Sequence, residues 1–287
     1  MNIELSHPYL LVGGTGRTGR RITAQLTAQG RRVRVTSRNG RPPFDWHDET
    51  TWEDQQRGVR RVFVAFHPDV AAPGAADLLG RFAQRADTLG VRRIVLLSGR
   101  GEEAAQDAEA QVADNIRECT VLRSAFFMED FTEHFLLDAV RSGLVAMPAG
   151  SVPEPFVDLE DLAGVATRAL TGDDLVGQTL ELTGPELLTF ADVAAVLSGV
   201  IGSPIAYHPC SVAEFAAGAE AEGMAPAEAQ VLASVFAQVL DGRNAHLTDD
   251  LPTILGRPPR RFADFARAAA ASGAWSPADA QEQGTRG

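Results

Sequence analysis

Three regularly spaced glycines, Gly13, Gly16 and Gly19, form the pattern in this chain that most clearly indicates a chemistry. They follow an apolar run at 9–12 and open a segment whose apolar residues have helical spacing. A strand, a glycine loop and a helix in this order bring main-chain N–H groups and a positive helix end to a phosphate. The pattern therefore predicts a site for the pyrophosphate of a dinucleotide. The alternative is a glycine-rich turn that binds no ligand.

The end of the second predicted strand, 33–37, indicates which dinucleotide is bound. An NAD site usually places an acid there, about 20 residues past the glycines, for the ribose hydroxyls. This chain has Ser37 and Arg38 instead, and residues 5–44 hold eight arginines and no acid. Most of these arginines are expected on a solvated basic face. A guanidinium can bind a phosphate in a forked pair, so Arg38, and Arg17 with it, is predicted to contact phosphate. NADP(H) is thus the predicted cofactor.

The elements that must position these residues alternate through the first half of the chain. Strands are predicted at 9–12, 33–37, 61–66, 93–98 and 119–123, and the clearest helices at 73–89 and 102–117. Apolar strands that alternate with helices predict a parallel sheet covered on both faces, with ligands beyond its C-terminal strand ends. The predicted fold class is α/β, a Rossmann-type doubly wound parallel sheet with a smaller, mostly helical C-terminal lobe.

The second half of the chain is less regular and is expected to add edge strands and a helical cap. Strands are predicted at 152–157 and 178–182, and helices at 128–142, 159–170, 190–200, 211–222, 226–241 and 259–272. We expect an NAD(P)-binding Rossmann domain over 1–125 and a substrate-binding lobe with additional edge strands over 126–275. A flexible tail is expected over 276–287.

Composition narrows the classes of partner. The net charge is −12 at pH 7, which repels a phosphate backbone, so no nucleic-acid partner is expected. The two cysteines have neither a disulfide framework nor metal-ligand spacing, and no metal site is predicted. No apolar run approaches the roughly 18 residues of a membrane span, so a cytoplasmic protein, monomeric or homodimeric, is expected. All 26 basic residues are arginines, which suggests a GC-rich bacterial genome.

The chain resembles the NmrA-like group of atypical short-chain dehydrogenase/reductases over nearly its whole length. The motifs that carry the resemblance are GGTGRTG at 13–19, LLSGRGE at 96–102, VLRSAFFMEDF at 121–131, FVDLEDLA at 156–163, LTGPELLTF at 182–190 and GRPPRRFADF at 256–265. It also resembles the branch with NADPH:quinone reductases and with ergot-alkaloid dehydrogenases, which reduce an iminium. One departure is Ser124, where the family commonly has proline.

The resemblance implies roles for particular residues. The residues expected to bind cofactor are Gly13, Thr15, Gly16, Arg17, Thr18 and Gly19 at the pyrophosphate, Ser37 and Arg38 at the 2′-phosphate, Asp45 and Trp46 by the adenine, and Phe66 and Ser98 further along it. His67 would lie along the cofactor, and Ser98 would end its strand beside the nicotinamide. The segment Phe126–Met128 would flank the nicotinamide and form the floor of the substrate pocket.

The chain lacks the Tyr-x-x-x-Lys pair with which typical short-chain reductases supply a proton. It contains no lysine, and its tyrosines are Tyr9, in the first strand, and Tyr207, in the C-terminal half. The helix at 102–117 offers acids and amides instead, and Glu109 on it is expected at the surface. Because a developing alkoxide needs a proton, plain ketone reduction is disfavoured. An iminium needs no acid, and a quinone or activated enone needs only stabilisation of its oxygen.

Several side chains are candidates for that oxygen and for the substrate pocket. Ser98 and His67 are the predicted catalytic residues, and Arg100 could also stabilise the oxygen, the alternative for Arg100 being a solvated loop charge. The predicted pocket residues are Arg100, Phe126, Phe127, Met128, Phe131 and Tyr207, which suit a flat apolar or aromatic substrate. Core packing alone is the alternative for the aromatic and methionine side chains.

The sequence is compatible with three functions. The first is an NADPH-dependent reductase that passes hydride to a quinone, an enone or an imine, in bacterial secondary metabolism or detoxification. The second is an NADP(H)-binding redox sensor that acts through a protein partner without turnover. The third is a lyase, isomerase or cyclase that kept the fold. Because a fold does not fix a function, the choice depends on the site.

Overall fold

The computed structural model describes residues 7–276, which divide into two compact units. The first unit contains the described residues up to Ser124 together with Leu159–Leu182 and Asp249–Arg257. The second contains Ala125–Asp158, Thr183–Thr248 and the described residues from Pro258 onward. The single boundary predicted at 125 is thus corrected, because the chain returns twice to the first unit. The expected tail lies, apart from Ser276, outside the described residues.

A six-stranded sheet, parallel throughout, forms the centre of the first unit. Numbered in chain order over both units, its strands are β1 (Tyr9–Val12), β2 (Val33–Val35), β3 (Arg61–Val64), β4 (Arg93–Gly99), β5 (Glu118–Ser124) and β7 (Thr179–Leu182). Their order across the sheet is β2-β1-β3-β4-β5-β7. The order reverses between β1 and β3, which is where open α/β sheets bind ligands. The predicted Rossmann-type class is confirmed.

Helices cover both faces of this sheet. They are α1 (Arg17–Ala28), α2 (Trp52–Gln56), α3 (Ala75–Thr88), α4 (Glu103–Asn115), α7 (Leu159–Thr171) and α11 (Asp250–Leu255). Alternate strand residues such as Leu10, Val62 and Ile94 are buried with the apolar faces of α3 and α4. The helices α1 and α7 pack together on the other face. Burial on both sides explains why the strands are apolar at nearly every position.

The second unit is mostly helical. Its helices are α5 (Asp130–Glu133), α6 (Leu136–Ser142), α8 (Phe190–Ile201), α9 (Val212–Ala221), α10 (Pro226–Val239) and α12 (Phe262–Ala271), and its strands β6 (Leu144–Met147) and β8 (Ala206–Pro209) pair in parallel. The predicted start of α8 is confirmed. The hydroxyl of Thr189 accepts a hydrogen bond from the backbone N–H of Asp192, and the carboxylate of Asp192 accepts one from the N–H of Thr189.

Two element predictions in this unit are wrong. The helix expected over 128–142 is interrupted between α5 and α6, because His134 has an extended backbone that ends α5. The strand expected over 152–157 forms only isolated bridges, such as Glu154 with Leu188. The physical reason is that Pro153 and Pro155 have no N–H group to donate to a neighbouring strand.

Candidate dinucleotide and catalytic site

The glycine loop is folded so tightly that side chains could not replace its hydrogens. Gly13 has φ of +81°, and a Cβ on it would lie 2.7 Å from the carbonyl oxygen of Ala65, just after β3. A Cβ on Gly19 would lie 2.3 Å from the carbonyl oxygen of Gly13. The loop therefore passes directly over the exit of β3 and onto the first turn of α1. This is the close backbone approach that a pyrophosphate site needs.

The start of α1 suits an anion. The helix begins at Arg17, no side chain caps it at Gly16, and its first turn contains no acidic residue. Thr15 and Gly16 are exposed, whereas Thr18 is buried. The positive end of the helix dipole is therefore not compensated by a carboxylate from its own first turn. The predicted roles of these residues at the pyrophosphate stay a prediction with compatible geometry.

Arg38 lies in the turn after β2, the strand beside β1. Hydrogen bonds to Ser37 close the turn. Its carbonyl accepts them from the backbone N–H groups of Gly40 and Phe44, and its hydroxyl accepts one from the N–H of Asn39. Arg38 is exposed and, among residues 7–276, makes no hydrogen bond or ion pair. A guanidinium without an internal partner at this strand end is available to a phosphate.

The residues predicted to lie beside the adenine already have partners within the protein. Trp46 is 9% exposed and packs in an aromatic cluster that includes Trp52 and Phe66. The carboxylate of Asp45 accepts the amide of His47 at 2.9 Å, and its carbonyl accepts the indole N–H of Trp52 at 2.8 Å. The cluster thus fixes the loop after β2, while contact with an adenine stays a prediction.

A buried polar network connects β4, β5 and α4. Ser98 is 5% exposed, and its hydroxyl donates to Glu109 Oε1 at 2.6 Å. Arg123, which is paired in register with Ser98, donates to both oxygens of Glu109 at 2.6 to 3.0 Å. This bond raises the pKa of Arg123. The expectation that Glu109 lies at the surface is wrong, because Glu109 is 5% exposed.

The other side chains predicted to act in catalysis or in the pocket of the first unit differ in their exposure and in their hydrogen-bond partners. Arg100 is 2% exposed, and its Nε donates to Glu181 on β7 at 2.9 Å, so the alternative of a solvated charge is wrong. His67 is exposed just after β3. Because the hydroxyl of Ser98 already donates its one hydrogen bond to Glu109, it is placed to accept a hydrogen bond rather than donate another. The catalytic roles of Ser98 and His67 stay predictions.

The predicted pocket residues of the second unit lie in or beside its aromatic core. Met128 and Phe131 are fully buried, and Phe131 contacts the rings of Phe156 and Phe262, so core packing accounts for both side chains. Phe126 is only partly buried against the same core. Phe127 is bridged through its backbone to Val157. Contact of Phe126 and Phe127 with a substrate stays a prediction.

Tyr207 is held by its own unit. Its hydroxyl donates to the carbonyl of Gly150 at 2.9 Å and lies 3.3 Å from that of Met147, and its ring stacks on Phe190. Burial raises the pKa of this phenol. A neutral hydroxyl that donates to a main-chain carbonyl has no second proton to give, so we expect it to be structural.

Replacing Tyr207 with phenylalanine is therefore expected to lower the free energy of unfolding by about 1 kcal/mol, the typical value of one hydrogen bond. The kinetic constants should not change. Urea unfolding and steady-state kinetics of the same preparation measure both quantities. A loss of kcat with unchanged stability would contradict the structural role.

Two carboxyl groups that the sequence predictions did not single out lie at the same end of the sheet. Glu102, between β4 and α4, is 8% exposed, and Asp69 follows β3. Burial, together with the nearby charges of Asp69 and Glu109, raises the pKa of Glu102 to about 8.

The sequence did contain a signal for the burial of Glu109, because this residue falls on the buried stripe of α4 with Ala105, Ala108 and Val112. Glu102 gave none, since its burial depends on the loop.

Within residues 7–276, no three His, Cys, Asp or Glu side chains come together as metal ligands would. None of the helices in the described part of the chain combines the length and apolar character of a membrane crossing.

Comparisons with known proteins agree with this geometry. No protein-family profile matches the chain. Agroclavine dehydrogenase from Claviceps fusiformis is 34% identical over 277 residues, which cover 89% of this chain and 95% of that protein. An NAD(P)H azoreductase from Xenophilus azovorans is 29% identical over 287 residues, covering 92% and 98%. The crystal structure of an Escherichia coli NADPH-dependent quinone oxidoreductase complexed with NADPH has a TM-score of 0.74 at 21% identity, covering 91% and 99%.

The switch in strand order and the glycine loop over it define a dinucleotide-binding protein of the Rossmann class. The chain belongs to the NmrA-like family of atypical short-chain dehydrogenase/reductases, as its motifs predicted. It is an oxidoreductase.

Proposed function

We propose that this protein is an NADPH-dependent reductase that transfers hydride to a conjugated or cationic acceptor, namely a quinone, an enone or an imine. The observation that carries the proposal is the exposed Arg38, without an internal partner, at the end of β2. It follows the strand beside a glycine loop too tight for side chains. A phosphate on the ribose is what distinguishes NADPH from NADH, and a guanidinium is the group that binds it in a forked pair.

The residues present fit this cofactor. The loop Gly13–Gly19 would hold the pyrophosphate, because its backbone passes where a Cβ would clash, and Arg38 with Ser37 would hold the 2′-phosphate. When bound, NADPH supplies a hydride at its nicotinamide ring. The protein's part is to orient the acceptor and exclude water.

The polar network at the C-terminal ends of β4 and β5 favours a conjugated or cationic acceptor. No tyrosine or lysine stands on α4, and the carboxylate of Glu109 there accepts hydrogen bonds from Ser98 and Arg123. A strongly basic alkoxide would find no phenol to protonate it. The names of the relatives support such acceptors, since one is an azoreductase and a structural neighbour is a quinone oxidoreductase.

The test is NADPH oxidation, followed by loss of nicotinamide absorbance, with a naphthoquinone, a cyclic enone and a cyclic iminium. We expect turnover with at least one of these acceptors, and none with a saturated cyclic ketone of the same ring size. Tight NADPH binding without any turnover would contradict the proposal and favour the non-turnover sensor or the non-redox enzyme. Equal turnover with the saturated ketone would contradict the acceptor class.

A further inference from the structure

We propose that Glu102 is the proton donor of this site and that Asp69 returns protons to it from solvent. The inference rests on the proposed reductase function and adds to it the group that completes reduction of an enone. It assigns the protonation of the enolate carbon to a carboxylic acid at the C-terminal ends of the strands.

The first observation is where the carboxyl of Glu102 lies. Glu102 is the residue before α4, yet its side chain does not cap that helix. It folds back over Gly99, the last residue of β4, so closely that a Cβ on Gly99 would lie 1.8 Å from Oε1 of Glu102. The carboxyl is therefore held over a strand end next to β3, at the edge where such sheets bind ligands.

The second observation concerns its hydrogen bonds. Among residues 7–276, no N–H or O–H is donated to Oε2 of Glu102, although this atom is buried. The charge of Asp69 and a hydrogen bond between the two carboxyls both raise the pKa of Glu102. A negative charge beside the buried Glu102 favours the protonated form of its carboxyl.

The surroundings decide which of the two carboxyls holds a proton. Asp69 is partly exposed, and its carboxylate accepts a hydrogen bond from the amide of Ala71 at 2.7 Å. Glu102 is buried and faces the negative charges of Asp69 and of Glu109, the latter bound by Arg123. Burial first, and then these charges, raise the pKa of Glu102 to about 8. Glu102 is thus the protonated member at neutral pH.

The reaction balances with this group. In enone reduction the β-carbon receives a hydride, the C=C π pair moves to give an enolate, and the enone is reduced while NADPH is oxidised to NADP⁺. The α-carbon then takes the proton from the carboxyl of Glu102, whose O–H bond breaks to leave a carboxylate. A proton from water, passed by the more exposed Asp69, restores the acid. An iminium carbon that receives a hydride becomes a neutral amine and needs no proton.

This difference between acceptors is the basis of the test. Glu102→Gln keeps the shape and removes the acid, and we expect it to lower kcat/KM for an enone about 100-fold, the lower end for general acid catalysis. Reduction of an N-methyl dihydroisoquinolinium, and the Kd for NADPH, should not change. Equal activity of the variant and the wild type on the enone would overturn the proposal. An equal loss with both acceptors would reduce Glu102 to a structural role and would also overturn it.

Two more variants separate position from acidity. Gly99→Ala retains the carboxyl of Glu102 but displaces it, so the enone rate should fall while the iminium rate does not. Asp69→Asn removes a neighbouring negative charge, which should lower the pKa of Glu102 and move the alkaline fall of kcat/KM to lower pH. In the wild type this fall is expected near pH 8. An unchanged pH profile in Asp69→Asn would contradict the pairing.

The protonation of Glu102 can also be measured without turnover. The infrared carbonyl band of a protonated carboxyl should be present in the cofactor-free wild type at pH 7, disappear above pH 9 and be missing in Glu102→Gln. Its absence from the wild type would overturn the proposal. Failure of the proposed function would be seen differently, as a wild type that reduces none of the acceptors while the band is still present.

Discussion

Replacing Arg38 with glutamate is expected to raise the Kd for NADPH by about 100-fold or more and to leave the Kd for NADH nearly unchanged. The wild-type guanidinium would donate two charge-assisted hydrogen bonds to the 2′-phosphate, each worth about 1.5 kcal/mol or more. Because Arg38 has no partner among residues 7–276, its replacement breaks no internal bond. Fluorescence titration with both dinucleotides measures the two constants.

Arg32→Glu is the matched control for this prediction. It makes the same change of charge at an exposed residue, but just before β2 rather than after it. We expect Arg32→Glu to change the two Kd values little, because Arg32 lies at the N-terminal end of β2, away from the strand ends where the cofactor would bind. An equal loss of NADPH and NADH affinity in Arg38→Glu would contradict the assignment of Arg38 to the 2′-phosphate.

Replacing Arg93 with methionine is expected to lower the free energy of unfolding by about 3 to 5 kcal/mol, the cost of breaking a buried ion pair. Arg93 begins β4 and is 1% exposed. Its guanidinium donates to Glu118 at 2.9 Å, to Asp173 at 2.6 Å and to the carbonyls of Ala169 and Gly172 at the C-terminal end of α7. Methionine would leave these acceptors without their donor. Urea unfolding followed by circular dichroism measures the difference.

Arg92→Met is the control, since Arg92 also donates to Glu118 but its side chain is 54% exposed. We expect a loss of no more than about 1 kcal/mol, as for exposed ion pairs. Neither variant should change the Kd for NADPH, because both residues lie at the N-terminal end of β4, away from the strand ends where the cofactor would bind. A loss in Arg92→Met as large as that in Arg93→Met would contradict burial as the cause.

The effect of Arg93 should also depend on pH. Burial tends to raise the pKa of Glu118, but the hydrogen bonds from Arg93 and Arg92 outweigh it, so the pKa is lowered. Arg93 lowers the pKa of Asp173 as well. A carboxyl with a lowered pKa in the folded state stabilises it above the ordinary pKa and loses this effect as the pH falls. The difference between wild type and Arg93→Met should therefore narrow below about pH 4.

Local sequence rules predicted most strands and helices of the first unit, and they are the basis of the proposed nucleotide contacts. The glycine spacing after β1 and the arginine after β2 can be interpreted locally, because each depends on a turn and on the strand just before it. The capped start of α8 is equally local, since Thr189 and Asp192 bond only to each other's backbone. Where proline removed donors at 153 and 155, the same local chemistry could have corrected the predicted strand.

The polar contacts at the proposed catalytic end of the sheet depend on the tertiary structure. Ser98 and Arg123 both donate hydrogen bonds to Glu109 because β4 and β5 are neighbouring strands that pair in register. The residue spacing in the sequence does not predict which strands are neighbours. Likewise Arg100 contacts Glu181 only because β7, which comes after a long excursion, returns to the edge of the sheet. Burial of Glu102 beside Asp69 depends on the loops after two adjacent strands. The amino-acid sequence alone predicted the fold class and the dinucleotide cofactor, whereas the pairing of the buried charged groups depends on the strand order. The physical reason is that desolvation and charge–charge interactions act through space, between residues that chain order does not bring together.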